Sequence, residues 1–179
     1  YDVTFPFIRM LVGPVDYTQG AMRNATKGNY RSVGSEAMSQ GTRCRQLAEY
    51  VIFESPLNML CDNPSNYMRE PECTEFIATI PTIWDNTVAL NGKVGEYVSI
   101  AREKDGVWYV GSLTNWSART LELDLSFLGE GNFKAEVFKD GINANKVARD
   151  YKKETITIPA DRKLSVTMAP GGGFVMKIY

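Results

Sequence analysis

From residue 94 to the C-terminus, apolar residues recur at every second position, and this constrains the fold more than any other feature of the chain. A period of two places alternate side chains on opposite faces of a strand. Thr120–Leu125 shows it most strictly, with Leu121, Leu123 and Leu125 on one face and Glu122 and Asp124 on the other. Val94–Arg102, Val107–Leu113, Phe133–Phe138, Glu154–Ile158, Leu164–Met168 and Phe174–Tyr179 read as further strands. Lys104-Asp105-Gly106 is a hairpin turn, and Gly171-Gly172-Gly173 is a turn with no helix after it. Short strands at regular spacing predict an antiparallel β-sandwich.

The texture before residue 82 is different. Val3–Val12 is a continuous apolar run ending at Gly13-Pro14. Such a run suits a strand buried on both faces, as in a parallel barrel, with Pro6 near its entry. Residues 16–41 are polar and long for a loop in a compact domain, which points to function or disorder. Thr42 starts a helix in which Cys44, Leu47, Ala48, Tyr50 and Val51 share a face, opposite Arg45, Gln46 and Glu49. Leu57–Cys61 continues it as a further apolar turn. Pro71 opens a shorter helix over 71–78, which Pro81 stops. A lone parallel strand has no partner within such a chain. With no initiator Met before the first apolar run, the expectation is a C-terminal fragment. Its division is 1–83, the end of an α/β barrel, and 84–179, an all-β antiparallel sandwich.

Composition removes several functions. Lys and Arg number 20 against 21 Asp and Glu, with no basic block of the kind that nucleic acid or an anionic membrane requires. No apolar run is long enough to span a membrane. The chain has no His, so the Ser-His-Asp and Cys-His machineries are absent. Its three Cys have no C-x-x-C pairing, which speaks against zinc. Cys44, Cys61 and Cys73 are expected to be small buried hydrophobes.

Asp16 and Tyr17 follow Gly13-Pro14 at what would be the carboxyl end of the barrel strand, where such barrels bind substrate. Asp16 could bond sugar hydroxyls and Tyr17 could stack on a sugar face; capping and packing account for them equally well. Glu54 fits a helix carboxylate paired with an arginine. Glu70, Glu72 and Glu75 fit the positive end of a short helix better than a catalytic pair or a calcium site. Trp84, Trp108, Tyr109 and Trp116 fit core packing better than a sugar platform.

Several longer segments resemble glycoside hydrolase family 97. They are Phe7–Met22 (FIRMLVGPVDYTQGAM), Gly41–Ala48 (GTRCRQLA), Phe53–Leu57 (FESPL), Asp62–Tyr67 (DNPSNY) and Ala169–Phe174 (APGGGF). The resemblance implies a (β/α)8 barrel, last strand and helices, followed by a C-terminal sandwich. It also implies a bacterial, exported or periplasmic glycosidase of the starch-utilisation α-glucosidase type, calcium-dependent and inverting. Its catalytic and calcium-binding glutamates would lie upstream of Tyr1. No catalytic or metal role therefore passes to a residue of this chain, and the isolated fragment is expected to be inactive. Its partners would be an α-linked oligosaccharide and the rest of its own polypeptide, with neither nucleic acid nor membrane. The alternative is a carbohydrate-binding or purely structural sandwich.

Overall fold

The computed structural model describes residues 1–179. Its first half runs α1 (Phe5–Ile8), a 3-10 turn (Arg9–Val12), β1 (Tyr17–Gln19), β2 (Asn24–Ala25), β3 (Ser39–Gln40), α2 (Arg43–Ile52), β4 (Asn58–Leu60), α3 (Pro64–Arg69) and α4 (Pro71–Thr79). The second half is β5 (Asn86–Lys93), β6 (Tyr97–Lys104), β7 (Val107–Thr114), β8 (Arg119–Asp124), β9 (Lys134–Asp140), β10 (Tyr151–Thr157), β11 (Lys163–Met168) and β12 (Gly173–Ile178).

The strand expected over 3–12 is helical instead. Pro6 falls in the first turn of α1, where its missing N–H leaves nothing unsatisfied. Gly13, at φ +119°, then ends the turn. The strand begins one step later, at Tyr17. Leu57–Cys61 is likewise not a helical turn: β4 lies there, parallel to β1, with Tyr17 opposite Asn58 and Gln19 opposite Leu60. β1, α2 and β4 thus form one βαβ unit. β2 and β3 make a second short parallel pair, Asn24 opposite Ser39 and Ala25 opposite Gln40, and the two pairs are separate two-stranded sheets that do not close into a barrel.

The second half confirms the period-two reading. A six-stranded antiparallel sheet has the order β10-β9-β12-β7-β6-β5, and β11 pairs with β8 in a second layer. Asp105 and Gly106, with φ of +50° and +79°, make the tight turn between β6 and β7. Edge strand β5 was not expected. Its register shifts between Ala89 and Asn91, which breaks the alternation that reveals the other strands.

The large sheet has a core on each face. On one, Leu121, Leu123, Val166 and Met168 of the small sheet pack on Val110, Val137, Phe174 and Met176. On the other, Leu47, Ala48, Val51 and Ile52 of α2 pack on Tyr109, Leu113, Phe138 and Val175. Each large apolar side chain buried this way contributes roughly 1.5–3 kcal/mol. Two glycines let the helix approach. A Cβ on Gly173 would lie 2.5 Å from the Arg45 Cα, and one on Gly111 would lie 3.0 Å from the Ala48 carbonyl oxygen.

Both ends of α2 are held. At its start the Thr42 hydroxyl accepts from the Arg45 N–H at 3.1 Å. The Arg43 N–H donates to the Ala148 carbonyl at 2.8 Å, from the β9–β10 connection. At its end the guanidinium of Arg102 on β6 donates to the carbonyls of Val51 (2.7 Å) and Ile52 (3.2 Å). A cation there suits the helix dipole.

Candidate functional site

Alternation along the segment entering β1 sends Asp16 and Tyr17 to different places. Asp16 is exposed, while Tyr17 is half-buried. The Tyr17 ring meets Phe53 edge-on at 4.5 Å and Phe5 at 5.5 Å, and its hydroxyl donates to Asp2 Oδ1 at 3.1 Å. Burial, then the Asp2 charge, push the Tyr17 phenol above its ordinary range. Tyr17 borders a cleft of about 590 Å³ between the βαβ unit and the sandwich loops, together with Tyr1, Tyr30, Arg45 and Trp116. The structure therefore brings Tyr17 and Trp116 to one cleft and leaves Asp16 out of it, on a neighbouring hollow with Phe5 and Ile8.

The polar face of α2 forms the floor. All ten residues of the helix are buried, including Arg45, Gln46 and Glu49. Arg45 Nη2 lies 2.6 Å from Asp2 Oδ2, Nη1 donates to the Thr114 carbonyl at 2.8 Å, and Nε lies 3.3 Å from Glu49 Oε1. Gln46 Nε2 donates to Glu49 Oε2 at 3.0 Å, and Gln46 Oε1 accepts from the Gly20 N–H at 2.9 Å. Glu49 Oε1 is buried with no hydrogen bond. Burial pushes the Glu49 carboxyl up to about 8, and the nearby Arg45 charge only partly opposes it. The cleft thus offers aromatic walls, which suit a sugar face, and a salt-bridged floor. Asp2 and Glu49 share one guanidinium and do not flank open space as a hydrolytic pair does.

The other carboxylates are dispersed among cations. Glu54 faces Arg102 at 3.7 Å, and Glu70 meets the fully buried Arg43 at 3.1 Å. Glu72 accepts from the Tyr151 hydroxyl at 2.6 Å. No three Asp, Glu, Cys or His side chains converge in the chain. Cys44 and Cys73 are buried, but Cys61 is exposed because it sits at the open end of β4. The three tryptophans are scattered. Trp84 meets Tyr109 at 5.5 Å, Trp108 meets Phe127 at 4.4 Å, and Trp116 covers Gly171. They make no common platform.

Sequence reasoning missed Arg45 and Glu49 as part of a site, because a polar helix face ordinarily points to water. Asp140 is likewise buried, and burial raises its carboxyl to about 6 as it accepts from the Ala169 N–H at 2.8 Å. It ties the 169–173 turn to the strand whose connection caps α2.

The model of the glycosyl-hydrolase 97 C-terminal, oligomerisation domain matches residues 83–179. The chain is 65% identical over 178 residues to the retaining alpha-galactosidase of Bacteroides thetaiotaomicron, covering 99% of this chain and 27% of that protein. It is 29% identical over 171 residues to a probable retaining alpha-galactosidase of Streptomyces bingchenggensis, covering 96% of this chain and 24% of that protein. Among solved structures, a glycoside hydrolase family 97 enzyme of Pseudoalteromonas sp. strain K8, in complex with panose, superposes with a TM-score of 0.86 at 34% identity. That match covers 99% of this chain and 28% of the other. The chain spans about a quarter of the length of each of these relatives.

Proposed function

Since the chain belongs to glycoside hydrolase family 97, we propose that it is the C-terminal part of a retaining α-galactosidase. The observation that carries this is 65% identity along 99% of the chain to a protein of that name. The inverting α-glucosidase implied by the sequence resemblance gives way to it, because the panose-bound neighbour shares only 34%. In this reading β1 and β4 are the last two strands of a (β/α)8 barrel whose remainder and hydrolytic carboxylates lie upstream. A retaining mechanism uses two carboxyls about 5 Å apart, one attacking the anomeric carbon and the other acting first as acid and then as base.

This chain's own part is to wall one side of the barrel and to hold its last crossover helix. α2 lies on the sandwich sheet with both ends bonded to it. The family model's description adds association of protomers through residues 83–179. Calcium held by upstream residues, and export from a bacterial cytoplasm, are carried over from the family resemblance.

The test is the full-length polypeptide on α-galactosides and α-glucosides. Hydrolysis of the α-galactoside with the α-anomer released first, followed by NMR, is the expected result. A β-anomer first, or preference for the glucoside, contradicts the proposal. Chelation with EDTA is expected to remove activity, and added calcium to restore it.

A further inference from the structure

Four arginines outside the cleft gather beyond the carboxyl ends of β1 and β4. Arg23 and Arg31 belong to the long polar stretch after β1, Arg69 ends α3, and Arg149 comes from the β9–β10 connection. Arg23, Arg31 and Arg149 line a hollow of about 450 Å³. Arg23, Arg69 and Arg149 line an adjoining one of about 170 Å³ together with Glu70, whose carboxylate is already taken up by Arg43 at 3.1 Å. The ion pairs of the chain leave Arg31, Arg69 and Arg149 out, and Arg23 has one surface partner, Glu36, at 3.5 Å.

The cluster is held from beneath. Arg43, fully buried, donates to the Met22 carbonyl at 2.5 Å and to the Asn24 side-chain Oδ1 at 2.7 Å, holding the backbone before Arg23 and the side chain after it. Asp62 Oδ2 accepts from the Met22 N–H at 2.9 Å, and Asp62 Oδ1 accepts from Asn66 Nδ2 at 2.6 Å, so the loops after β1 and β4 are tied together. The bond from Arg43 to Ala148 places Arg149 over the same spot. Three carboxylates border the cluster, Glu36 on Arg23, Asp62 near it and Glu70 on Arg43, and with Arg31, Arg69 and Arg149 outside the ion pairs the charge stays positive, which favours a further anion among them. Guanidinium groups match flat or tetrahedral oxyanions with paired N–H donors. In α/β units, ligands bind outside the carboxyl ends of the parallel strands.

We infer that this cluster is a subsite for an anionic group, a carboxylate or a sulfate ester, carried by the sugar chain that the parent enzyme receives. The inference rests on the glycosidase reading for the sugar, and on the arginines for the charge. It also gives the sandwich, through Arg149, a direct share in substrate choice.

Titration calorimetry of the full-length polypeptide with galacturonic acid, galactose 6-sulfate and galactose tests it. At least one charged sugar is expected to bind tenfold or more tighter than galactose, with the difference shrinking as salt is added. Arg149→Ala and Arg31→Ala should each remove that preference with an unchanged melting temperature, and Arg149→Lys should keep part of it. Equal binding of the three sugars overturns the inference. So does binding of inorganic sulfate without preference among the sugars, and so does an upstream acidic segment found seated on the arginines. Failure of the α-galactoside assay strikes the glycosidase reading alone, because the titration reads charge preference and not turnover.

Discussion

Glu49 shows how one side chain carries the cost of the cleft's floor. Its carboxyl is 2% exposed and shares Arg45 with Asp2. Its pKa in the fold, about 8, lies above the ordinary 4.5, so the fold favours the protonated form. The stabilisation from this group is complete below about pH 4.5 and is lost as pH rises through 8. Glu49→Gln keeps the shape and the neutral state. It is expected to flatten the fall in stability across that window and to be more stable than the parent above pH 8. Urea midpoints measured at pH 5 and pH 9 decide it; parallel curves for the two proteins sink the assignment. The sequence disclosed the type and spacing of Arg45 and Glu49 but not their burial. Burial came from a second surface, the sandwich loops, far away along the chain.

At the scale of elements, the features that local rules govern were legible. Thr42 caps α2, Pro71 opens α4, and Leu121, Leu123 and Leu125 face inward together. What failed was the 3–12 segment and Leu57–Cys61, where an apolar run alone does not distinguish a turn of helix from a short strand. Both lie at the β1–β4 pair, whose partners are set by tertiary contact. The close seat of α2 was hidden as well, since Gly111 and Gly173 look like ordinary strand and turn glycines. Gly173→Ala drives a methyl into the backbone of α2 at Arg45 and Cys44, which cannot rotate aside. A loss of about 1–3 kcal/mol in urea unfolding is expected; a change under about 0.5 kcal/mol shows that the helix can lift without cost. Thr42→Ala removes the cap and should lower stability by about 1 kcal/mol.

For the whole molecule, the large sheet joins the halves, because it is buried on both faces. Cutting the chain before residue 84 bares Val98, Tyr109, Leu113, Phe138 and Val175 together. A contiguous apolar face of that kind promotes association. Residues 84–179 alone are expected to bind a hydrophobic dye and to elute as aggregates, whereas 1–179 should melt in one cooperative transition. A monomeric, dye-silent 84–179 contradicts this coupling. The texture change near residue 82 announced a change of architecture. It did not announce that the helix of one half would become the lid of the other's sheet.

The bonds at the two ends of α2 set a ruler inside the molecule. The distance from Ala148, in the β9–β10 connection, to Arg102 on β6 is set by the sheet and that connection, and the helix must span it with its own rise of 1.5 Å per residue. One residue inserted between Arg43 and Ile52 turns everything after it by about 100° and moves Val51 and Ile52 off the guanidinium. A one-residue insertion inside α2 is therefore expected to cost far more stability than one in the polar loop before Thr42 or in the turns beyond Phe53.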